Sequence, residues 1–454
     1  MFDSSLKSPH PSSVLDALMA QTSRLMDMQK DAEMTAYYYL RDMQDLSLTP
    51  VHYLSTMGRR TWANPFNLSS FTSYGRTLAA QYETLERSTK RFMKPSFDID
   101  SVLSQEGQLF EIKEHIVKKR TFCDLIHFER IPVSAGEGGR PKSTRPVPSV
   151  LVVAPYSGHY ATLLRDTVRT LLKDHDVYIT DWKNARDIPL SRGLFDLEKY
   201  ISYLMDFLKS FDRPIHLVAV CQPAVPVLAL ASLWASADHP LQPLSMTLMG
   251  GPIDTRVNPT KVNKAAHERP HSWFEKNVIA RVPVYYPGSM RRVMPGFLML
   301  SGFMSLNLER HMSAQMDHFG HLVRGDQDDA EAHRKFYDEY RSVLDLPADY
   351  FLDSVRTAFQ EHLIPNHKMT WKGHKVEPQA ITKTALLTVE GENDDISGAG
   401  QTYAAHELCR NLDKTKQHHH LQKGVGHYGV FNGRRFRDEI YPVIRNFIAT
   451  HNNC

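Results

Sequence analysis

The chain alternates between short apolar runs and longer segments whose apolar residues recur every three or four positions. Residues 149–154 (SVLVVA), 177–179, 215–220 (IHLVAV), 245–249 and 385–389 are the short runs. Near-continuous apolarity over so few residues predicts strands buried on both faces, as in a parallel sheet. Between them, residues 160–172 and 197–208 carry helical spacing, with Tyr200, Ile201, Leu204, Met205 and Leu208 on one face. Strands alternating with helices predict an α/β fold with a mostly parallel sheet and flanking helices. Residues 110–117 and 122–131 alternate with a period of two and add strands, the first suited to a sheet edge. Glycine and proline mark 135–148 as a loop, and 435–449 reads as the last helix.

Two stretches fall outside this rhythm. Residues 12–48 have helical spacing through Leu15, Leu18, Met19, Leu25, Met26 and Met28, and 75–93 reads as a second helix. A helical N-terminal section is therefore expected over 1–95. The second stretch is the gap of about 130 residues between the strand ending near Gly250 and the one starting at Ala385. It is mainly helical in pattern, at 330–345 and 350–361, with a methionine-rich apolar segment at 293–306. The expected organisation is a core of 96–251 and 385–454, interrupted by an insertion at 252–384.

Composition narrows the class. The hydrophobic share of 42% and charged share of 23% are those of an ordinary globular chain. With 54 basic and 51 acidic residues the net charge is +3, which gives no reason to expect nucleic acid as a partner. The four cysteines (Cys123, Cys221, Cys409, Cys454) form neither a disulfide framework nor a metal-ligand spacing. No run of about 18 apolar residues predicts a membrane span. The first ten residues lack the basic-then-apolar leader pattern, so no secretory signal is expected and a cytoplasmic location is.

Chemistry concentrates at three corners. The strand at 215–220 runs into Cys221-Gln222-Pro223-Ala224 and then into a helical pattern. Prolines are tolerated in a first helical turn, where the N–H groups lack intrahelical partners. Strand, nucleophile and helix in this order form the nucleophile elbow of α/β-hydrolases. The free N–H groups and positive end of the helix favour a thiolate there, and later an oxyanion. The glycines of the usual G-x-S-x-G are replaced by Ala219 and Pro223. After the strand at 385–389 comes the polar loop Gly391-Glu392-Asn393-Asp394-Asp395-Ile396, where hydrolases of this fold carry an acid. Asp254, at the end of the preceding strand, is the other acid position to weigh. Gly424-Val425-Gly426-His427-Tyr428-Gly429 then presents a histidine before the last helix, with glycines that allow the backbone to turn the ring back. The order nucleophile, acid, histidine is that of α/β-hydrolases. Gln222 and either Tyr156 or Ser157, in the turn after 149–154, are the oxyanion candidates, since Pro155 has no N–H.

The stretches VLVVAPYSGHYATLLRDTV, VYITDWKNARDIPLSRGLFDLEKYISYL, HLVAVCQPAVPVLA, DLPADYFLDSVRTAFQEHLIP, TVEGENDDISGAGQT and GVGHYGVFNGRRFR span most of residues 100–447. In them the chain resembles the intracellular poly(3-hydroxybutyrate) depolymerases with a cysteine nucleophile. The resemblance implies Cys221 as nucleophile, Asp394 (the fourth residue of G-E-x-D-x-I) as acid and His427 as base. It also implies amorphous polyhydroxyalkanoate on storage granules as substrate, cut to 3-hydroxybutyrate oligomers and monomer, with no metal or organic cofactor. The insertion would then be a cap, with Trp273, Phe297, Met299, Phe303 and Met304 as candidate liners. Two rivals remain: a polyhydroxyalkanoate synthase, against which Ala219 and Pro223 speak, and a non-catalytic granule-associated protein, against which the intact Cys221, Asp394 and His427 speak. Oligomeric state is not legible.

Overall fold

The computed structural model describes residues 11–133 and 147–452. Cys454, the first ten residues and nearly all of the loop expected at 135–148 lie outside them, as do the side chains of the apolar stripe expected on 15–28. Nine strands form one sheet: β1 (Ser101–Leu103), β2 (Leu109–Lys119), β3 (Cys123–Pro132), β4 (Ser149–Val153), β5 (Asp176–Trp182), β6 (His216–Val220), β7 (Ser245–Met249), β8 (Ala385–Gly391) and β9 (Gln417–Gln422). Their order is β1-β2-β3-β5-β4-β6-β7-β8-β9. The six from β5 to β9 run parallel, whereas β1, β2 and β3 join antiparallel at one edge. This is the α/β-hydrolase fold. All of β4, β6, β7 and β8 is buried apart from the partly exposed Ser149, as their apolar runs require.

Helices cross between the strands. After β4 come a 3-10 turn, Ala161–Leu164, and α4, Arg165–Leu171, so the predicted 160–172 helix is split in two. Then follow α5 (Leu197–Leu208) and α6 (Ala224–Ser236). Right-handed crossovers, with the chain stepping outward from β4 to β5 and back past β4 to β6, place α4 on one face of the sheet and α5 and α6 on the other. The final helix, Tyr441–Thr450, packs with α4, and the residues before it form a short helical turn and a π-helical segment.

Several expectations change in the structure. The strand at 109–119 is not a bare edge, because β1 pairs with its first three residues, Leu109–Glu111. The helix expected at 330–345 stops at Tyr340, and Leu346–Pro347 joins a small three-stranded sheet with Arg292–Met294 and Ala280–Arg281. The front section holds three long helices rather than two: α1 (Pro11–Ser47), α2 (Thr49–Trp62) and α3 (Ser73–Thr89). The first and third lie on the inserted segment, and the second packs against the third. Tyr38 donates to Asp345, Arg281 pairs with Asp31 at 2.8 Å, and Tyr285 donates to Asp42 at 2.9 Å. Asp345 is buried and also accepts from the Gly296 N–H at 2.8 Å, so one carboxylate ties the front helix to the insertion.

Glu83 makes a second such tie. It meets Arg334 at 2.8 Å and His318 at 3.3 Å. Burial would raise its carboxyl, but the hydrogen bonds and charges of His318 and Arg334 prevail and hold it at about 2. A depressed carboxyl stabilises the fold above its unfolded value, about 4.3, and the gain is lost as pH falls through the native value. Glu83→Gln is therefore expected to lower Tm at pH 7, with the gap from wild type closing as pH falls toward 2. Thermal melts at stepped pH check this.

Candidate active site

The strand order reverses around β4, and in open α/β sheets ligands bind outside the carboxyl ends of the strands at such a switch point. The predicted corners converge there. Cys221 leaves β6 with φ +66, a left-handed conformation that costs a residue with a side chain about 1–2 kcal/mol. Such strain persists only where the surroundings impose it, and it gathers at functional sites. Here the Cys221 N–H donates to the Met249 carbonyl at 2.7 Å, and its own carbonyl accepts from Ala224 at 3.1 Å. The helix α6 is buried from Ala224 to Trp234, so the elbow stands on a rigid base.

Asp394 and His427 meet on the neighbouring corners. The Asp394 Oδ2 to His427 Nδ1 distance is 2.8 Å, with both side chains buried. The other carboxylate oxygen accepts from the N–H groups of Ile396 at 2.9 Å and Ser397 at 2.8 Å. A carboxylate accepts only, so Nδ1 carries the proton and Nε2 is free to face the sulfur. Burial alone would push the imidazole down, but the Asp394 carboxylate and the adjacent Cys221 outweigh it and raise the ring well above its ordinary value. The loop bearing Asp394 is braced by Glu390, buried at the end of β8. Its oxygens accept from Gly400 at 2.8 Å, Thr402 at 2.7 Å and Tyr403 at 2.9 Å.

The alternative acids point elsewhere. Asp395 is exposed and accepts from Asn307 in the insertion. Asp254 pairs with Arg256 at 2.7 Å; burial works to raise its carboxyl, but the bonds from Arg256 hold it below the usual range.

On the oxyanion side, Tyr156 is buried with its ring stacked on Trp182 at 5.0 Å and its hydroxyl donating to the Lys183 carbonyl at 2.8 Å. Ser157 is half-buried. Among the described residues, no group accepts from the N–H of Gln222, Tyr156 or Ser157. The Gln222 side chain is anchored through Nε2 to Ser354 Oγ at 3.1 Å, while its Oε1 and the Tyr350 hydroxyl are buried without a partner.

The glycines match the sequence expectation in part. Gly424 has φ +67, in the left-handed region, and a Cβ on Gly429 would lie 2.8 Å from the Val425 Cβ, whereas Gly426 has φ −88, open to any residue. A further requirement falls on Gly250 and Gly251, at the end of β7. A Cβ on Gly250, which has φ +55, would lie 3.3 Å from both Asp394 Oδ2 and His427 Cε1. One on Gly251 would lie 2.2 Å from the Ala224 Cβ in the first turn of α6. The Gly-Gly pair at a strand end was the available signal for both. Gly250→Ala is expected to displace the ring and reduce turnover by about 10²-fold, as misplacements near 1 Å do. Steady-state kinetics beside a melting curve separate this from unfolding.

The insertion meets the loop that follows β4. Met299 and Phe303 lie over the loop 155–159: a Cβ on Gly158 would be 3.0 Å from the Met299 Cβ, and the Phe303 ring is 5.5 Å from that of His159. Phe297 instead packs against Tyr37 and Tyr38 of the front helix, with ring centroids 5.6 and 5.5 Å away, so it is removed from the candidate liners. Trp273 is stacked beneath the Arg269 guanidinium at 4.6 Å, and Met304 is half-buried. On the Gly296–Leu306 helix, Ser301, Gly302 and Ser305 are exposed, whereas its seven large apolar side chains are each partly buried.

Of the thiols, Cys221 is partly exposed, whereas Cys123 and Cys409 are buried at 0% exposure. Burial pushes Cys123 well up and Cys409 to about 12. Iodoacetamide at neutral pH is therefore expected to modify Cys221 and spare these two, which peptide mapping would show.

The fold and the placement of this site define an α/β-hydrolase. Residues 250–452 match the family model described as PHB de-polymerase C-terminus. Over that stretch, a little under half of the chain, the sequence is similar to the PHB depolymerases. No curated protein matches the sequence significantly. Among solved structures, a soluble variant of monoglyceride lipase from Saccharomyces cerevisiae is similar at 11% identity, covering 76% of this chain and 96% of its own, with a TM-score of 0.44. The monoacylglycerol lipase of Paleococcus ferrophilus is 14% identical, covers 68% and 97%, and has a TM-score of 0.41. A thermophilic esterase from Thermogutta terrifontis is 11% identical, covers 78% and 98%, and has a TM-score of 0.41. Among the described residues, no helix is long and apolar enough to cross a membrane.

Proposed function

We propose that this chain is an intracellular depolymerase of amorphous poly(3-hydroxybutyrate) granules, working through a Cys221–His427–Asp394 triad. The observation that carries the reading is His427 held between the Asp394 carboxylate and Cys221 at the elbow. The Cys221 thiolate attacks an ester carbonyl, and the oxyanion is met by the Gln222 N–H and one from Tyr156 or Ser157. His427 gives its proton to the departing hydroxyl, leaving a thioester on Cys221. It then takes a proton from water, whose oxygen displaces the acyl group and frees the sulfur. Asp394 holds the ring tautomer and balances its charge in both halves. Residues 252–384 act as a cap, and the partly buried Met299 and Phe303 beside the loop 155–159 suit a polyester chain.

The test is incubation of the purified chain with native amorphous granules and with crystalline polymer, measuring released 3-hydroxybutyrate. Release from the amorphous form, with little from the crystalline form, is the expected result. Polymer growth from a 3-hydroxybutyryl thioester of coenzyme A, with no release, would make it a synthase. Neither release nor growth would leave a granule-associated protein without this chemistry.

A further inference from the structure

The carboxyl end of β5 borders a second cleft, of about 990 Å³, which the ester chemistry does not use. It is formed by the segment after the third front helix, the β2–β3 turn, the loop 183–192 and Tyr286. Seven of its sixteen lining residues are lysine or arginine, and Asp187 is the one acid, although the whole chain carries only +3. Volume and place suit a small ligand, because such sites run to about 300–1,000 Å³ and lie beyond the carboxyl ends of strands.

Several of these cations are neutralised within the fold. Lys94 pairs with Asp181, Arg120 with Asp206 and Lys183 with Asp124, at 2.5, 2.5 and 2.7 Å. Arg186 faces the buried Asp345, whose charge favours the guanidinium. Arg91, Lys119 and Arg192 have no carboxylate partner among the described residues; Arg91 donates to the Tyr286 hydroxyl at 2.5 Å. These three cations against Asp187 leave a positive surplus around one concavity. The Arg186 Nε–H is also buried without an acceptor, and an unpaired buried donor is costly until something supplies one. Behind the lining, Arg291 donates to the carbonyls of Ile188 at 3.0 Å, Pro189 at 2.7 Å and Gly193 at 2.8 Å, holding the loop in shape before any ligand arrives.

Guanidinium forks and ammonium groups converging from separate elements match the several oxygens of a phosphate better than a single carboxylate. The place is separate from Cys221. β5 and β6 are two positions apart, about 10 Å of sheet width, and the Tyr156 ring stacked on Trp182 stands at the back of the cleft. We propose that this cleft binds a phosphate-bearing small molecule or an anionic phospholipid headgroup.

The test uses the full chain and inorganic pyrophosphate, titrated by calorimetry at constant ionic strength, with sodium chloride as control. A parallel arm measures co-sedimentation with phosphatidylcholine vesicles, with and without phosphatidylglycerol. The comparison protein is the Lys119→Glu/Arg192→Glu double variant, since both side chains are exposed. Its unchanged turnover of a short soluble ester shows that it is folded. Saturable one-to-one binding of pyrophosphate, weakened at least tenfold in the double variant, is the expected result. Binding confined to the phosphatidylglycerol vesicles and lost in the variant assigns the same chemistry to a lipid headgroup. No saturable binding in either arm, or equal binding by both proteins, overturns the proposal.

Discussion

Cys221→Ala is expected to reduce release of 3-hydroxybutyrate by about 10³-fold or more, with Tm close to wild type. Removing a nucleophile that acts as one unit with its base takes away almost all of the unit's contribution, several orders of magnitude. The fold should tolerate the change. The side chain is half-exposed, the residue's two backbone hydrogen bonds remain, and alanine is smaller than what it replaces. Cys221→Ser keeps a small part of the activity, because a hydroxyl is a far poorer nucleophile near neutral pH than a thiol. Kinetics on amorphous polymer, beside a melting curve, check both variants. Near-wild-type turnover in the alanine variant would remove Cys221 from the chemistry.

His427→Gln should match that loss, since one ring serves as base and then acid. Asp394→Asn is expected to cost about 10²–10⁴-fold, the scale of losing the group that orients a catalytic histidine. Asp395→Asn and Asp254→Asn should stay within about threefold, because their carboxylates are engaged by Asn307 and Arg256. A larger loss at either of these than at Asp394 would reassign the acid.

The legible parts of the molecule were those whose environment is uniform. Strands β4, β6, β7 and β8 are buried on both faces and read as apolar runs, and the 197–208 helix has one apolar stripe packed inward. Strand β9 was hidden. Its sequence, QHHHLQ, alternates nothing, because it is the sheet's last strand, with one of its six residues buried. Likewise Thr49–Trp62 has only Ser55 buried, so no apolar face marked it off from the helix before it. The convergence of Cys221, Asp394 and His427 was legible because each closes a strand–loop corner with a distinct residue type. Their supports were not. Glu390, Gly250 and the Gln222–Ser354 contact act through partners 10 or more residues away, and local pattern carries no trace of such distances.

The most direct measurement of the central claim is mass spectrometry of an acyl-enzyme. Wild-type protein mixed with a 3-hydroxybutyrate oligomer and acid-quenched within the first turnover should carry a 3-hydroxybutyryl adduct on the peptide containing Cys221. Neutral hydroxylamine should remove it, as it does a thioester. An adduct on a serine peptide, or continuing turnover in a protein whose Cys221 is quantitatively alkylated, would contradict the account.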